Sequence, residues 1–160
     1  MKFLEDVKIG DVLMTGRHVF NADEIKSFAN RYDPQLFHVD EEAAARSHFG
    51  ALCASGWHTA AAWMRLYVDH TRAEHDAMRA RGEKIPAVGP ALGLRELKWL
   101  KPVYVGDAID YKSEVTDVRV SNSRPGFGLM TLLTTGTNQN GVLAISFIST
   151  TFLQRHPETP

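Results

Sequence analysis

The segment NRYDPQLFHVDEEAAA, residues 30–45, places a carboxylate and an imidazole five positions apart, at Asp33 and His38. These side-chain types carry much of the general acid–base chemistry of proteins, because their surroundings can bring the pKa of either close to neutral pH. Sequence spacing alone does not bring the two together, since five extended residues could separate them by about 17 Å. The pair therefore predicts proton-transfer chemistry only if the chain between its members folds back.

The residues before the pair predict a helix that ends beside Asp33. The segment NADEIKSFANRY offers Asn21 or Asp23 as a helix cap. Pro34 disfavours helical dihedral angles at the residue before it, so the helix should stop near Tyr32. Asp33 would then lie at the C-terminal end of the helix dipole, which disfavours a carboxylate and predicts a raised pKa.

A second, longer helix is predicted within residues 53–82, where Ser55 can cap it and Gly82 can end it. Its first half, GWHTAAAWM, is apolar nearly all round, which predicts a buried axis of the fold. The N-terminus of such a helix offers unpaired N–H groups and a partial positive charge. Because Gly56 has no side chain, a ligand oxygen can approach the backbone there, and we expect an oxyanion site.

The remaining residues predict strands. VLMTGRHVF (12–20) is β-branched and aromatic, and most of the chain after about residue 92 alternates as strands separated by turn signals. The order of one strand, several helices and a run of antiparallel strands is typical of an α+β fold in which one sheet wraps around one long helix. A length of 160 residues with 44% hydrophobic content predicts a single domain, 1–160.

Composition excludes several classes of function. The 18 basic and 19 acidic residues give a net charge of −1, so no basic field would gather nucleic acid or an anionic membrane. No stretch approaches the roughly 18 continuous apolar residues that span a bilayer, and the N-terminus lacks the apolar core of a signal peptide. A lone cysteine, Cys53, agrees with a reducing compartment. We expect a cytoplasmic protein.

Three segments together carry a resemblance to a known family. FANRYDPQLFHVDEEAAARSHFG, then ALCASGWHTAA and LKWLKPVYVGD, resemble the MaoC-like acyl dehydratases, which include the (R)-specific enoyl-CoA hydratases and have the hotdog fold. The resemblance implies that Asp33 and His38 act on a water and that the backbone N–H of Gly56 holds the thioester oxygen. It also implies an acyl-CoA thioester as substrate, with coenzyme A part of that substrate and no separate cofactor.

The entrance of the long helix departs from the family pattern. Many of these hydratases read His-Gly-Met there, whereas this chain reads Ser55-Gly56-Trp57. Trp57 would narrow the acyl tunnel if it faces the pocket, or pack in the core if it turns away. Ser55 would cap the helix, with a ligand contact as the alternative, and Asp40 would cap the short helix that follows His38.

Charged side chains elsewhere offer weaker candidates. Cations could bind the phosphates of coenzyme A or simply be solvated, and the candidates are Arg79, Arg81, Lys84 and Arg124. The run Asp69, His70, Glu74, His75 and Asp76 reads as a solvated helix face, and we predict no metal. His58 reads as a hydrogen-bonded core residue. Cys53 reads as a packing residue and not as a nucleophile.

Three functions are compatible with these residues. The first is a lyase that hydrates a 2-enoyl-CoA or dehydrates a 3-hydroxyacyl-CoA. The second is a hotdog thioesterase, although thioesterases of that fold usually carry their carboxylate on the central helix, where this chain has no acid before Asp69. The third is an acyl-thioester-binding subunit without catalysis. The resemblance also implies a homodimer or a dimer of dimers, with sites between subunits.

Overall fold

Five antiparallel strands and four α-helices form the described part of the chain, residues 2–157 of a computed structural model. The elements follow a 3₁₀ turn at Leu4–Asp6 and run as β1 (Val12–Val19), α1 (Ala22–Tyr32), α2 (Leu36–Val39), α3 (Glu41–Arg46), α4 (Gly56–Ala80), β2 (Val88–Trp99), β3 (Ala108–Val120), β4 (Phe127–Thr137) and β5 (Leu143–Gln154). The sheet order is β1-β3-β4-β5-β2. This confirms the predicted α+β arrangement of one antiparallel sheet and one long helix.

The long helix α4 begins and ends where the sequence predicts. The Ser55 hydroxyl accepts a hydrogen bond from the Trp57 N–H at 3.2 Å, so Ser55 is the N-cap. At the other end Gly82 adopts φ +70°, the left-handed conformation that glycine favours after a helix. Asn21 and Asp40 cap α1 and α3 in the same way, each accepting a bond from the N–H three residues on.

The core lies between α4 and the inner face of the sheet. Trp63 of α4 packs edge-on against Phe147 of β5 at 4.7 Å between ring centroids. The hydroxyl of Tyr111 on β3 is buried and donates to the Thr59 carbonyl at 2.9 Å. Burial of these aromatic rings fixes the first turns of α4 against the sheet, which in turn fixes the position of the helix N-terminus.

One face of α4 is not covered, contrary to the expectation of a helix buried nearly all round. Trp57 is 55% exposed and Met64 is 44% exposed, and Ala61 between them is also exposed. The neighbouring strand β2 adds Leu92, Leu94 and Trp99, which are exposed as well. The apolar residues of α4 therefore form an exposed apolar surface as well as part of the core.

Strand β2 is an edge of the sheet. It pairs with β5 on one side only, its register shifts at three places, and it contains Pro90. Bulges and proline are devices that limit continuous pairing along a free edge.

Among residues 2–157, no helix combines the length and hydropathy needed to cross a bilayer.

Candidate active site

A one-turn helix brings Asp33 and His38 together. Asp33 is the C-cap of α1, and the Gln35 N–H bonds back to its carbonyl at 2.8 Å. Helix α2, which the sequence did not predict, follows immediately and contains His38. The chain thus turns back within five residues, and His38 Nε2 lies 3.5 Å from Asp33 Oδ2. The condition that the loop between the pair must fold back is met.

The segment before α4 clamps His38 in place. The Cys53 N–H donates to the Phe37 carbonyl at 3.3 Å, and His38 Nδ1 lies 2.7 Å from the Cys53 carbonyl oxygen. A carbonyl only accepts, so Nδ1 carries the proton that joins them. In the neutral ring, Nε2 then carries no proton, and its lone pair is available on the side of Asp33. His38 is buried, which leaves this nitrogen as its reactive atom.

Two side chains hold the Asp33 carboxylate. The Ser55 hydroxyl donates to Oδ2 at 2.7 Å, and the Gln35 amide donates to Oδ1 at 2.8 Å. Desolvation by partial burial favours the neutral carboxyl, but these two hydrogen bonds, together with the positive charge that His38 carries when it is protonated, outweigh it and lower the pKa of Asp33. The predicted rise of this pKa is therefore wrong: the helix-end position is compensated by donors from two other segments.

Ser55 joins the two halves of the site. Its oxygen accepts the cap bond from Trp57 and its proton goes to Asp33, so one buried hydroxyl both starts α4 and orients the carboxylate. The sequence predicted the cap. The contact with Asp33, 22 positions away, was not predicted, because it depends on how α1 and α4 pack.

A cavity of about 490 Å³ opens beside these groups. Asp33, His38 and Gly56 all line it. Within residues 2–157, the Gly56 N–H makes no hydrogen bond, as is usual for the first residue of a helix. A carbonyl oxygen held there would sit beside two proton-accepting atoms, which is an arrangement suited to acid–base chemistry next to a carbonyl group.

An indole covers the Cα of Gly56. A Cβ at this position would lie 2.4 Å from the Trp99 ring, whose Nε1 donates to the Gly56 carbonyl at 2.9 Å. Glycine is therefore required for this contact, whereas the sequence suggested that it makes room for a ligand. Trp57 packs edge-on against the same indole at 5.1 Å and lines the cavity. At 55% exposed, Trp57 is not a core residue.

Comparison with known proteins places these features in a family. The chain matches the MaoC like domain over residues 6–136. It belongs to the MaoC-like family. A crystal structure of a MaoC-like dehydratase from Rhodospirillum rubrum is similar to it, with 36% identity, a TM-score of 0.81, and coverage of 98% of this chain and 99% of that one.

Two further relatives extend the comparison. The YdeM protein of Bacillus subtilis (strain 168) is 30% identical over 139 residues, which cover 87% of this chain and 89% of that protein. The (R)-hydratase from A. caviae involved in PHA biosynthesis is 24% identical, with a TM-score of 0.65 and coverage of 95% of this chain and 99% of that one, and that likeness concerns the fold. These matches confirm the hotdog fold of this MaoC-like chain.

The four cations that the sequence suggested for coenzyme A do not line the cavity. Helix α4 has 25 residues and is about 37 Å long, and Arg79 lies at the end away from Gly56. Arg79 and Arg81 pair with Asp76 and Glu83, Lys84 is exposed, and Arg124 stacks on the Phe152 ring at 4.8 Å. Their role in binding stays a prediction. Lys101, which the sequence did not suggest, lines the cavity.

Two other residues behave as the sequence predicts. Cys53 is buried, and burial raises the pKa of its thiol to about 11, so it is a poor nucleophile even though its sulfur lies 3.7 Å from His38 Nδ1. On α4, Asp69 pairs with Arg65 at 2.6 Å, as expected of a solvated helix face, but the Nε2 atoms of His70 and His75 are buried, contrary to that expectation. His58 is buried, but its side chain makes no hydrogen bond to any described residue, unlike the predicted core histidine.

Proposed function

We propose that this MaoC-like chain adds water to 2-enoyl thioesters of coenzyme A, or removes it from 3-hydroxyacyl thioesters. The observation that carries the proposal is the 3.5 Å approach of His38 Nε2 to Asp33 Oδ2 in a cavity that Gly56 also lines. An ionised carboxylate and an imidazole lone pair are both acceptors, and a water between them can donate one hydrogen to each.

Such a water has its oxygen lone pairs free to attack. In the hydration direction its oxygen bonds to C3 of the enoyl group, and one of its protons passes to the His38 or Asp33 acceptor. The electrons of the double bond move onto the thioester oxygen, where the Gly56 N–H and the positive end of the α4 dipole stabilise the enolate. The acceptor then returns the proton to C2, so that one water supplies both the hydroxyl and the hydrogen.

The position of the carboxylate favours a lyase over a thioesterase. Asp33 lies on the segment that overhangs the start of α4 and is held by Ser55, the residue before that helix. The first acid within α4 is Asp69, fourteen positions into the helix and exposed in part. A base at Asp33 can therefore reach the carbons next to the carbonyl group as well as the carbonyl carbon. The paired imidazole of His38 supplies the second acceptor that water addition uses.

A pair of optical assays separates the possible functions. Hydration removes the absorbance of the conjugated enoyl thioester without releasing thiol, whereas thioesterase activity releases free coenzyme A. We expect loss of the enoyl absorbance alone, and at least about a 100-fold slower loss in Asp33→Asn, since a general acid or base typically contributes 10²–10⁴. Thiol release at the same rate would show a thioesterase, and neither signal would show a binding subunit.

The exposed apolar face fits a second copy of the chain. Trp57 and Met64 of α4 and Leu94 of β2 lie together on it, beside the unpaired edge of β2. Covering this face and edge in a homodimer, or in a dimer of dimers, would remove apolar surface from water beside the cavity. Light scattering should then give at least twice the monomer mass at micromolar concentration. A stable monomer would contradict the proposal.

A further inference from the structure

Two histidines and a glutamate from three different elements converge on one side of the molecule. His18 lies on β1, Glu24 in the first turn of α1 and His58 in the first turn of α4. His18 Nε2 is 2.6 Å from Glu24 Oε1, and His58 Nε2 is 3.9 Å from the same oxygen. One ligand atom from each residue lies within 4.8 Å of the other two. None of the three lines the cavity at Asp33.

His58 is the unexplained member of this group. Its side chain is only 10% exposed, and it forms no hydrogen bond with any residue in the described range 2–157. Its Nδ1 atom is buried without a partner, which costs free energy because that atom does not recover the hydrogen bond it made to water.

We propose that His18, Glu24 and His58 bind a divalent transition-metal ion, and that this ion is Zn²⁺. Two imidazole nitrogens and one carboxylate oxygen form a known three-ligand set for zinc, with water completing the tetrahedron. Zinc ligands lie about 2.0–2.2 Å from the ion, hence about 3.3 Å from one another. The two spacings to the Glu24 oxygen, 2.6 Å from His18 and 3.9 Å from His58, lie on either side of that value.

The surrounding residues orient two of the ligands. Asn21 and Glu24 form reciprocal bonds at the start of α1: the Glu24 N–H donates to Asn21 Oδ1, and the Asn21 amide donates to Glu24 Oε2 at 3.1 Å. Oε1, the oxygen that His18 Nε2 contacts at 2.6 Å, is the one that would bind the ion. The Phe28 ring stacks on His58 at 4.6 Å with an interplanar angle of 5° and fixes the plane of the imidazole. Outer contacts of this kind are what position the ligands of metal sites.

The ion would link the elements that carry the candidate active site, although it would bind outside the cavity at Asp33. Glu24 begins α1, which ends beside Asp33, and His58 lies two residues after Gly56. A bound ion would therefore fix α1 against the start of α4, the same two elements that the Ser55–Asp33 hydrogen bond joins. His18 and Glu24 remain about 30% exposed, which leaves solvent access for the ion and its water.

Zinc titration of the whole chain tests the site. Protein freed of metal with a chelator and dialysed at pH 7.5 is titrated with ZnCl₂ by calorimetry, and with CoCl₂ while visible absorption is recorded. We expect one ion per chain, a visible cobalt band typical of tetrahedral coordination, and a higher Tm with zinc than without it.

Variants locate the ion. Glu24→Gln and His18→Gln each remove one ligand and should weaken zinc binding at least about tenfold, with loss of the cobalt band. His156→Gln is the matched control: it removes another histidine–carboxylate pair, with Asp6 at 2.9 Å, that has no third candidate ligand among residues 2–157. Should Glu24→Gln not fold, His18→Gln decides alone. No stoichiometric binding by wild type, or equal binding by wild type and His18→Gln, overturns the proposal.

Discussion

Removing the Ser55 hydroxyl should affect both helix stability and the protonation of Asp33, and two substitutions separate these effects. Ser55→Ala removes the N-cap of α4, which costs about 1 kcal/mol, whereas Ser55→Gly costs only a few tenths of that, because glycine is a tolerable cap. Both remove the 2.7 Å hydrogen bond to Asp33 Oδ2. A hydrogen bond to a charged group contributes about 1.5–3 kcal/mol, and the partial exposure of Asp33 favours the lower end.

The direction of the pH effect follows from the lowered pKa of Asp33. Its stabilising bonds act on the carboxylate, so their contribution is present above the unfolded pKa and is lost as pH falls through the folded pKa. Without Ser55 the folded pKa rises toward the unfolded value. We therefore expect both variants to lose about the same Asp33-dependent stability at neutral pH and little of it in strong acid, and to shift the acid limb of kcat/KM to higher pH.

Urea denaturation at several pH values and pH–rate profiles with a short 2-enoyl-CoA measure these quantities. Ser55→Ala should be less stable than Ser55→Gly by about the cost of the cap, while their acid limbs coincide. Acid limbs that stay at the wild-type position in both variants would refute the reasoning, because Ser55 would then not control Asp33. Gly and Ala variants of equal stability would refute the capping role.

Three other predictions address the remaining groups. His38→Ala should lower the hydration rate at least about 100-fold, as Asp33→Asn should, with the fold retained by circular dichroism; near-wild-type turnover in a folded variant removes that residue from the mechanism. Trp57→Leu should shift the preference between four-carbon and eight-carbon substrates by about tenfold or more toward the longer chain, while a uniform loss of kcat/KM at every chain length would identify Trp57 as a packing residue. Burial lowers the pKa of His58 to about 4 in the folded protein, against about 6.5 in the unfolded chain, so metal-free protein should lose roughly 2–3 kcal/mol of unfolding free energy as pH falls across that window. His58→Gln should lack this pH dependence. Plots of unfolding free energy against pH that run parallel for the two proteins would contradict the argument that burial keeps His58 neutral.

Much of the fold follows from local signals in the sequence. Strands β3, β4 and β5 lie in the region after about residue 92 that the sequence predicts as strands, and Ser55 and Gly82 bound the long helix as predicted. These features depend on short-range pattern: alternation over a strand, a capping hydroxyl, and a glycine after a helix. Helix α2 was not predicted because one turn of four residues has no periodicity to detect.

Long-range contacts explain what the sequence did not reveal. The pKa of Asp33 was predicted to rise from the helix dipole alone, whereas Ser55, 22 positions away, lowers it. The trio of His18, Glu24 and His58 is spread over three elements, and of its surroundings the sequence predicted only Asn21, as a possible cap of α1. The uncovered face of α4 carries apolar residues, as its buried face does, so the pattern could not distinguish core from surface.

Isotope incorporation tests the central claim most directly. The chain is incubated with a four-carbon 2-enoyl-CoA in D₂O enriched in ¹⁸O, and the products are resolved by mass spectrometry and NMR. The Asp33–His38 mechanism predicts a 3-hydroxyacyl-CoA that carries ¹⁸O at C3 and one deuterium at C2, and predicts that Asp33→Asn forms it at least about 100-fold more slowly. Appearance of ¹⁸O in a free carboxylic acid together with released coenzyme A, or an unlabelled substrate after prolonged incubation, would contradict it.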